Sequence, residues 1–116
     1  MRILVIDDER TLVKPGHDVH HVRTSKDALQ VLQSESPEVQ KSWDALYLDH
    51  DLGGEDTIRP VVDFLEEKVF FEDPLDIGCI FAHTANPVGA DYILKSRLLN
   101  SAYRVSRVGL EDFIVP

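Results

Sequence analysis

Apolar residues in this chain come in short runs separated by amphipathic stretches. Arg2–Asp7 reads RILVID, a run without polar alternation, as expected of a strand covered on both faces in a parallel sheet. Val19–Arg23 (VHHVR), Ala45–Asp49 (ALYLD) and Ile77–His83 (IGCIFAH) give a second, third and fourth strand. Tyr103–Val108 (YRVSRV) alternates like an edge strand. Between these runs the apolar spacing changes to the helical period. Thr24 with Asp27 makes a capping-box-like start, and the helix over Ser25–Ser34 presents Ala28, Leu29 and Leu32 on one side. A helix over Thr57–Phe70 carries the stripe Ile58, Val61, Val62, Leu65 and Val69, with Pro60 in its first turn where proline is tolerated. Asn86 reads as an N-cap with Pro87 at the first helical position, opening a helix that runs to Leu99. Thr11–Asp18, with Pro15-Gly16, and Pro37–Ser42 read as loops, Gly53-Gly54 as a turn, and Asp73-Pro74 breaks the chain. The tail Gly109–Pro116 carries Leu110, Phe113, Ile114 and Val115.

Strands alternating with helices predict an α/β fold: a single domain over residues 1–116 with a parallel sheet covered by helices. In such sheets a ligand binds beyond the carboxyl ends of the strands. The first strand ends at Asp7-Asp8, with Arg10 close behind; the third ends at Asp49-His50-Asp51; the fourth ends at His83-Thr84, just before Asn86. Three strand ends thus deliver ionisable groups to one edge.

Charge narrows the ligand. Asp and Glu number 21 against 12 Lys and Arg, a net charge of −9. So acidic a surface repels phosphate backbones and anionic lipid, which argues against general nucleic-acid or membrane binding. A small phosphate ligand fits if a cation or nearby Arg offsets the acids. Cys79 is the only cysteine, inside an apolar run, so neither an internal disulfide nor a thiolate zinc site is available. No apolar stretch is long enough to span a membrane and the amino terminus lacks a secretory pattern, so a cytoplasmic setting is expected. His17, His20 and His21 form an H-x-x-H-H cluster, but adjacent His20 and His21 would face opposite sides of a strand, so no common zinc site is expected.

The acids after the first strand, the Asp ending the third and the Thr after the fourth resemble the receiver domain of two-component signalling over roughly residues 1–108. That likeness implies a five-stranded, mainly parallel, flavodoxin-like sheet in order 2-1-3-4-5. It also implies Mg²⁺ or another divalent cation at Asp7 and Asp8, a phosphoryl acceptor at Asp49, and phosphoryl contact from Thr84. The chain departs from receivers in three ways. Its fifth strand lacks the receiver's Lys, since YRVSRVG offers only Arg104 and Arg107, and Lys95 falls in the preceding helix. The segment between the first two strands is too short for the first receiver helix, and Gly109–Pro116 is too short for the last. IDDER (Ile6–Arg10), LDHDLGG (Leu48–Gly54) and HTANPVG (His83–Gly89) are similar to the motifs of the cyclic-phosphate-processing receiver domains of bacteria and phages. Membership there implies hydrolysis of a cyclic phosphate, and for a phage product the host cytoplasm as its location.

Two functions follow. In the first, the chain is a metal-assisted phosphohydrolase for a cyclic phosphate or small phosphodiester. Asp7, Asp8 and Asp49, with Asp51 as a fourth candidate, would hold the cation as hard oxygen ligands. His50 and His83 would serve as base and acid on either side of the phosphodiester. Thr84, Asn86 and the amides beginning its helix would hold phosphate oxygens, and Arg10 would clamp them. In the second, a non-enzymatic receiver-like module binds a partner or accepts a phosphoryl group on Asp49. His83 also admits a plain reading as a hydrogen-bonded core histidine, and His50 one as a rim residue. The two missing helices cover the same sheet face in receivers. Either the Leu12–Pro15 loop and the Phe113–Val115 tail fold over that face, or two copies pack it together; the few apolar side chains of loop and tail favour the homodimer.

Overall fold

The computed structural model describes residues 1–34 and 42–116. Residues 37–41 of the expected loop before the third strand lie outside them. The elements run β1 (Arg2–Ile6), β2 (Thr11–Leu12), β3 (Asp18–Val22), α1 (Ser25–Gln33), β4 (Trp43–Leu48), α2 (Arg59–Phe70), β5 (Ile77–Ala82), α3 (Pro87–Leu94), α4 (Arg97–Ala102), β6 (Arg104–Arg107) and β7 (Phe113–Ile114). Five strands form a sheet in order β3-β1-β4-β5-β6, every pair parallel. Counting only those five, this is the expected 2-1-3-4-5 order of a receiver-like fold.

Strand alternation divides the sheet residues between two faces. Leu4, Ile6, Leu46, Leu48, Ile80 and Ala82 share one core with Ala28 and Leu32 of α1, Val61, Val62 and Leu65 of α2, Ile93 of α3 and Leu99 of α4. All the helices that contribute to a core therefore lie on one side. Truncating a fully buried member such as Leu46 to Ala would cost about 2–5 kcal/mol, the lost transfer energy plus the cavity.

Ile3, Val5, Ala45 and Tyr47 face the other way, where receivers have their first and last helices. Here β2 and β7 cover them. These two short strands pair antiparallel, Thr11 opposite Ile114 and Leu12 opposite Phe113, and Val13 N–H donates to the Asp112 carbonyl at 3.0 Å. Leu12 is buried, and Phe113 and Val108 pack against the same cluster. The case for a homodimer rested on a bare face. The loop and tail cover that face instead, leaving Val13, Ile114 and Val115 exposed on the outside of the ribbon.

One expected element divides. The helix after the fourth strand stops at Leu94, and Ser96 caps a new helix, its hydroxyl accepting from Leu99 N–H at 3.2 Å. The run YILKSRLL has no glycine or proline to mark this break. The competing N-cap at Ser96, buried with its hydroxyl donating to Glu66 at 2.8 Å, makes it. The capping predictions at Thr24 and Asn86 both hold: Thr24 accepts from Asp27 N–H, and Asn86 from Val88 and Gly89 N–H. No helix of the described residues is long and apolar enough to cross a membrane.

Candidate cation and phosphate site

β1, β4 and β5 end side by side, because Ile6 pairs with Leu48 and Leu48 with Ala82. The next residue on each strand is therefore Asp7, Asp49 or His83. Asp49 N–H donates to the Ile6 carbonyl at 3.0 Å and His83 N–H to that of Leu48 at 3.1 Å, so the ladder carries on through the site. The carboxylates of Asp7, Asp8 and Asp49 each offer an oxygen within 4.8 Å of the others.

Asp7 is fully buried, and both of its carboxylate oxygens meet donors of the chain. One carboxylate oxygen accepts from Glu9 and Arg10 N–H, both at 2.8 Å, and the other lies 2.9 Å from His83 Nε2. Burial alone would raise its pKa. The hydrogen bonds from His83, Arg10 and Glu9 outweigh that, and the net shift is downward. Asp49 goes the other way: burial raises it first, and the neighbouring Asp7 and Asp8 charges add to that, while a hydrogen bond with Thr84 and the proximity of His83 oppose it. Asp7 is thus held ionised beside an Asp49 that pays for ionising. A divalent cation held there would relieve this conflict. The all-oxygen donor set is of the kind that suits a hard ion such as Mg²⁺.

Asp8 and Asp49 open onto a cleft of about 400 Å³ lined by Asp8, Glu9, Arg10, Asp49, Asp51, Gly53, Gly54, Thr84, Ala85 and Asn86, while Asp7 is buried outside that lining. Gly53 suits this turn because its φ is +90°, and a Cβ there would stand 3.1 Å from an Asp8 carboxylate oxygen and press on that side chain. Thr84 Oγ1 accepts from Asn86 N–H at 3.1 Å. Arg10 is the single basic side chain in this lining among the described residues.

Not every expected group reaches the cleft. Asp51 lines it, but its two oxygens pair with His50 Nδ1 at 3.0 Å and Asn86 Nδ2 at 3.1 Å, and it stands apart from the acidic trio. Those two partners lower its pKa, His50 first. His50 and His83 lie at the correct end of the sheet but behind the carboxylates, outside the cleft lining. His83 is 1% exposed, a core histidine and not a rim residue. They also belong to opposite faces. His50 follows Leu48 in alternation and meets Tyr92 of α3, with Gly89 so close that a Cβ there would stand 2.5 Å from His50 Cβ. His83 follows Phe81 and stacks on Phe113 of the ribbon. Alternation applied to the two strand ends carries this signal in the sequence. His21 was not expected at the site, yet its Nε2 lies 2.7 Å from the Asp7 carbonyl. His20, on the other side of the strand, pairs with Asp18 and Trp43.

The chain matches the family model of the cyclic-phosphate processing receiver domain over residues 2–98. It belongs to that family. The matched span takes in all three strand ends and every residue lining the cleft. No curated protein and no solved structure matches the chain significantly. As a member of the receiver-like group, it keeps the acidic pair, the Asp and the Thr at their strand ends, and among the described residues no lysine lines the cleft.

Proposed function

We propose that this domain is a metal-assisted phosphohydrolase acting on a cyclic phosphate or small phosphodiester. One observation carries the reading: three carboxylates offer oxygens within 4.8 Å of one another, and two of them, Asp8 and Asp49, line an open cleft whose other polar groups suit a phosphate. Asp8, Glu9, Asp49 and Asp51 against Arg10 would repel a phosphate anion without a counter-charge.

Asp7, Asp8 and Asp49 would hold a divalent cation, which, when bound, supplies charge neutralisation and activation of water. The remaining work falls to the chain. Arg10 draws the phosphate in by charge. The Thr84 hydroxyl, which hydrogen-bonds Asp49 and accepts from Asn86 N–H, would turn its proton to a phosphate oxygen once a cation takes up the Asp49 charge. Asn86 fixes Asp51 and, through its side-chain oxygen, the start of α3. Asp51, held by His50 and Asn86 at the cleft wall, would take a proton from an attacking water on a remaining lone pair, and the departing alkoxide would take its proton from solvent in the open cleft. The imidazoles act one step back: His83 orients Asp7, and His50 orients Asp51.

The test is a screen of the purified domain with Mg²⁺ against cyclic mononucleotides, oligonucleotides with 2′,3′-cyclic ends and cyclic dinucleotides. Ring opening that stops on chelation supports the reading. No turnover of any of them, together with a stable acyl phosphate on Asp49 after acetyl phosphate, would support a phosphate-accepting module instead.

A further inference from the structure

Phe113 lies beyond the residues that match the family, yet it touches the site's supporting structure. Its ring stacks flat on His83, with centroids 4.4 Å apart and planes 6° from parallel. Tyr47 closes the group edge-on to both rings, at 5.7 Å from Phe113 and 6.2 Å from His83. His83 Nε2 in turn meets Asp7 at 2.9 Å. Imidazole rotation about its side-chain torsions would break that contact, and a flat ring stacked on one face opposes it. The same ribbon acts by a second route. β7 pairs with β2, and β2 begins at Thr11, the residue after the Asp7–Arg10 loop whose amides hold the other Asp7 oxygen.

We infer that Phe113 is a positioning residue for the cation site, setting the orientation of Asp7 through His83, so that docking of the carboxyl-terminal strand and cation affinity are coupled. This rests on the reading of Asp7, Asp8 and Asp49 as a cation site. The coupling is of the kind seen where outer partners orient a metal-binding side chain, whose loss costs about 10–100-fold in affinity. Phe113 is only partly buried, so its replacement by another apolar residue removes the flat stack without emptying the core.

The experiment titrates Mn²⁺ calorimetrically into the wild-type chain, Phe113→Leu, Phe113→Ile, Phe113→Tyr and Val108→Ala. Val108 packs on the same face and controls for general loosening. Nitrogen NMR of the His83 ring, without metal, gives a separate readout. We expect Leu and Ile to weaken Mn²⁺ about 10-fold or more, while Tyr and the Val108 variant keep wild-type affinity. The His83 ring should stay one tautomer, protonated at Nε2, in the wild type and with Tyr, and become a mixture with Leu or Ile. Unchanged affinity and an unchanged His83 spectrum in both apolar variants overturn the inference and leave the cation site standing. Equal weakening by Val108→Ala reduces Phe113 to packing and also overturns it. A wild-type chain that takes up no Mn²⁺ overturns the cation site and the inference with it.

Discussion

Removing the His83 imidazole should destabilise the domain more than most single changes. His83→Ala deletes the partner of one Asp7 carboxylate oxygen in a place where both side chains are fully buried. Breaking a buried pair by removing one member costs about 3–5 kcal/mol, because the other charge stays behind without its partner. Loss of the stack on Phe113 and the cavity beside Tyr47 act in the same direction. Against a total of about 5–15 kcal/mol for a small domain, that is a large share. At this chain length it corresponds to a fall in Tm of roughly 10–20 °C. His83→Gln, which keeps an N–H donor, should lose less. The effect should also depend on pH. The Asp7 pKa is lowered in the folded state, so its contribution is present above the ordinary value of 3.8 and is lost as pH falls through the lowered value. The gap between wild type and His83→Ala should narrow under acid conditions, leaving the packing part. Urea unfolding of metal-free protein at neutral pH and again below pH 3.8 measures both quantities. A loss under about 1 kcal/mol at neutral pH, or a gap that does not change with pH, would refute the claim that His83 holds an ionised Asp7.

Asp49→Asn should stabilise the metal-free domain by roughly 0.5–2 kcal/mol in urea unfolding, since it removes a buried charge that Asp7 and Asp8 oppose, while abolishing Mn²⁺ binding in calorimetry. Because the Asp49 pKa is raised above 3.8, protons should compete with the cation at a pH above the usual Asp range; Mn²⁺ affinity measured down a pH series should fall there first. His50→Ala should slow turnover about 10-fold if the imidazole only orients Asp51; a loss of about 10²–10⁴-fold would mean that it transfers the proton itself. Deleting residues 112–116 should uncover Tyr47, Phe81 and His83 and cause association, whereas the full chain should scatter light as a 13.1 kDa monomer.

The parallel sheet was legible because each strand of the central three is an unbroken apolar run that ends in ionisable residues; its order came from the likeness to receiver domains. That Asp7, Asp8 and Asp49 share one edge followed from those ends, since parallel neighbours in register must deliver them there; singling them out as cation ligands, with Asp51 as a fourth, took the likeness to receiver domains. The ribbon was harder to read. β2 and β7 have two residues each, too few for any periodicity, and they pair across almost the whole chain. The break at Lys95-Ser96 depends on a tertiary contact with Glu66 that no local pattern announces. The histidines were placed at the right end of the sheet, but not behind their carboxylates. Burial decides that, and a His after a strand reads alike whether it faces water or a buried Asp.

The most direct test of the cation-bound phosphohydrolase is phosphorus NMR of one cyclic phosphate taken from the substrate screen, incubated with the wild-type chain and Mg²⁺. The proposed function predicts a ring-opened monoester that grows with time, stops when a chelator is added, resumes with excess Mg²⁺, and is absent with Asp49→Asn. Ring opening at the same rate with chelator, or with Asp49→Asn, would contradict it.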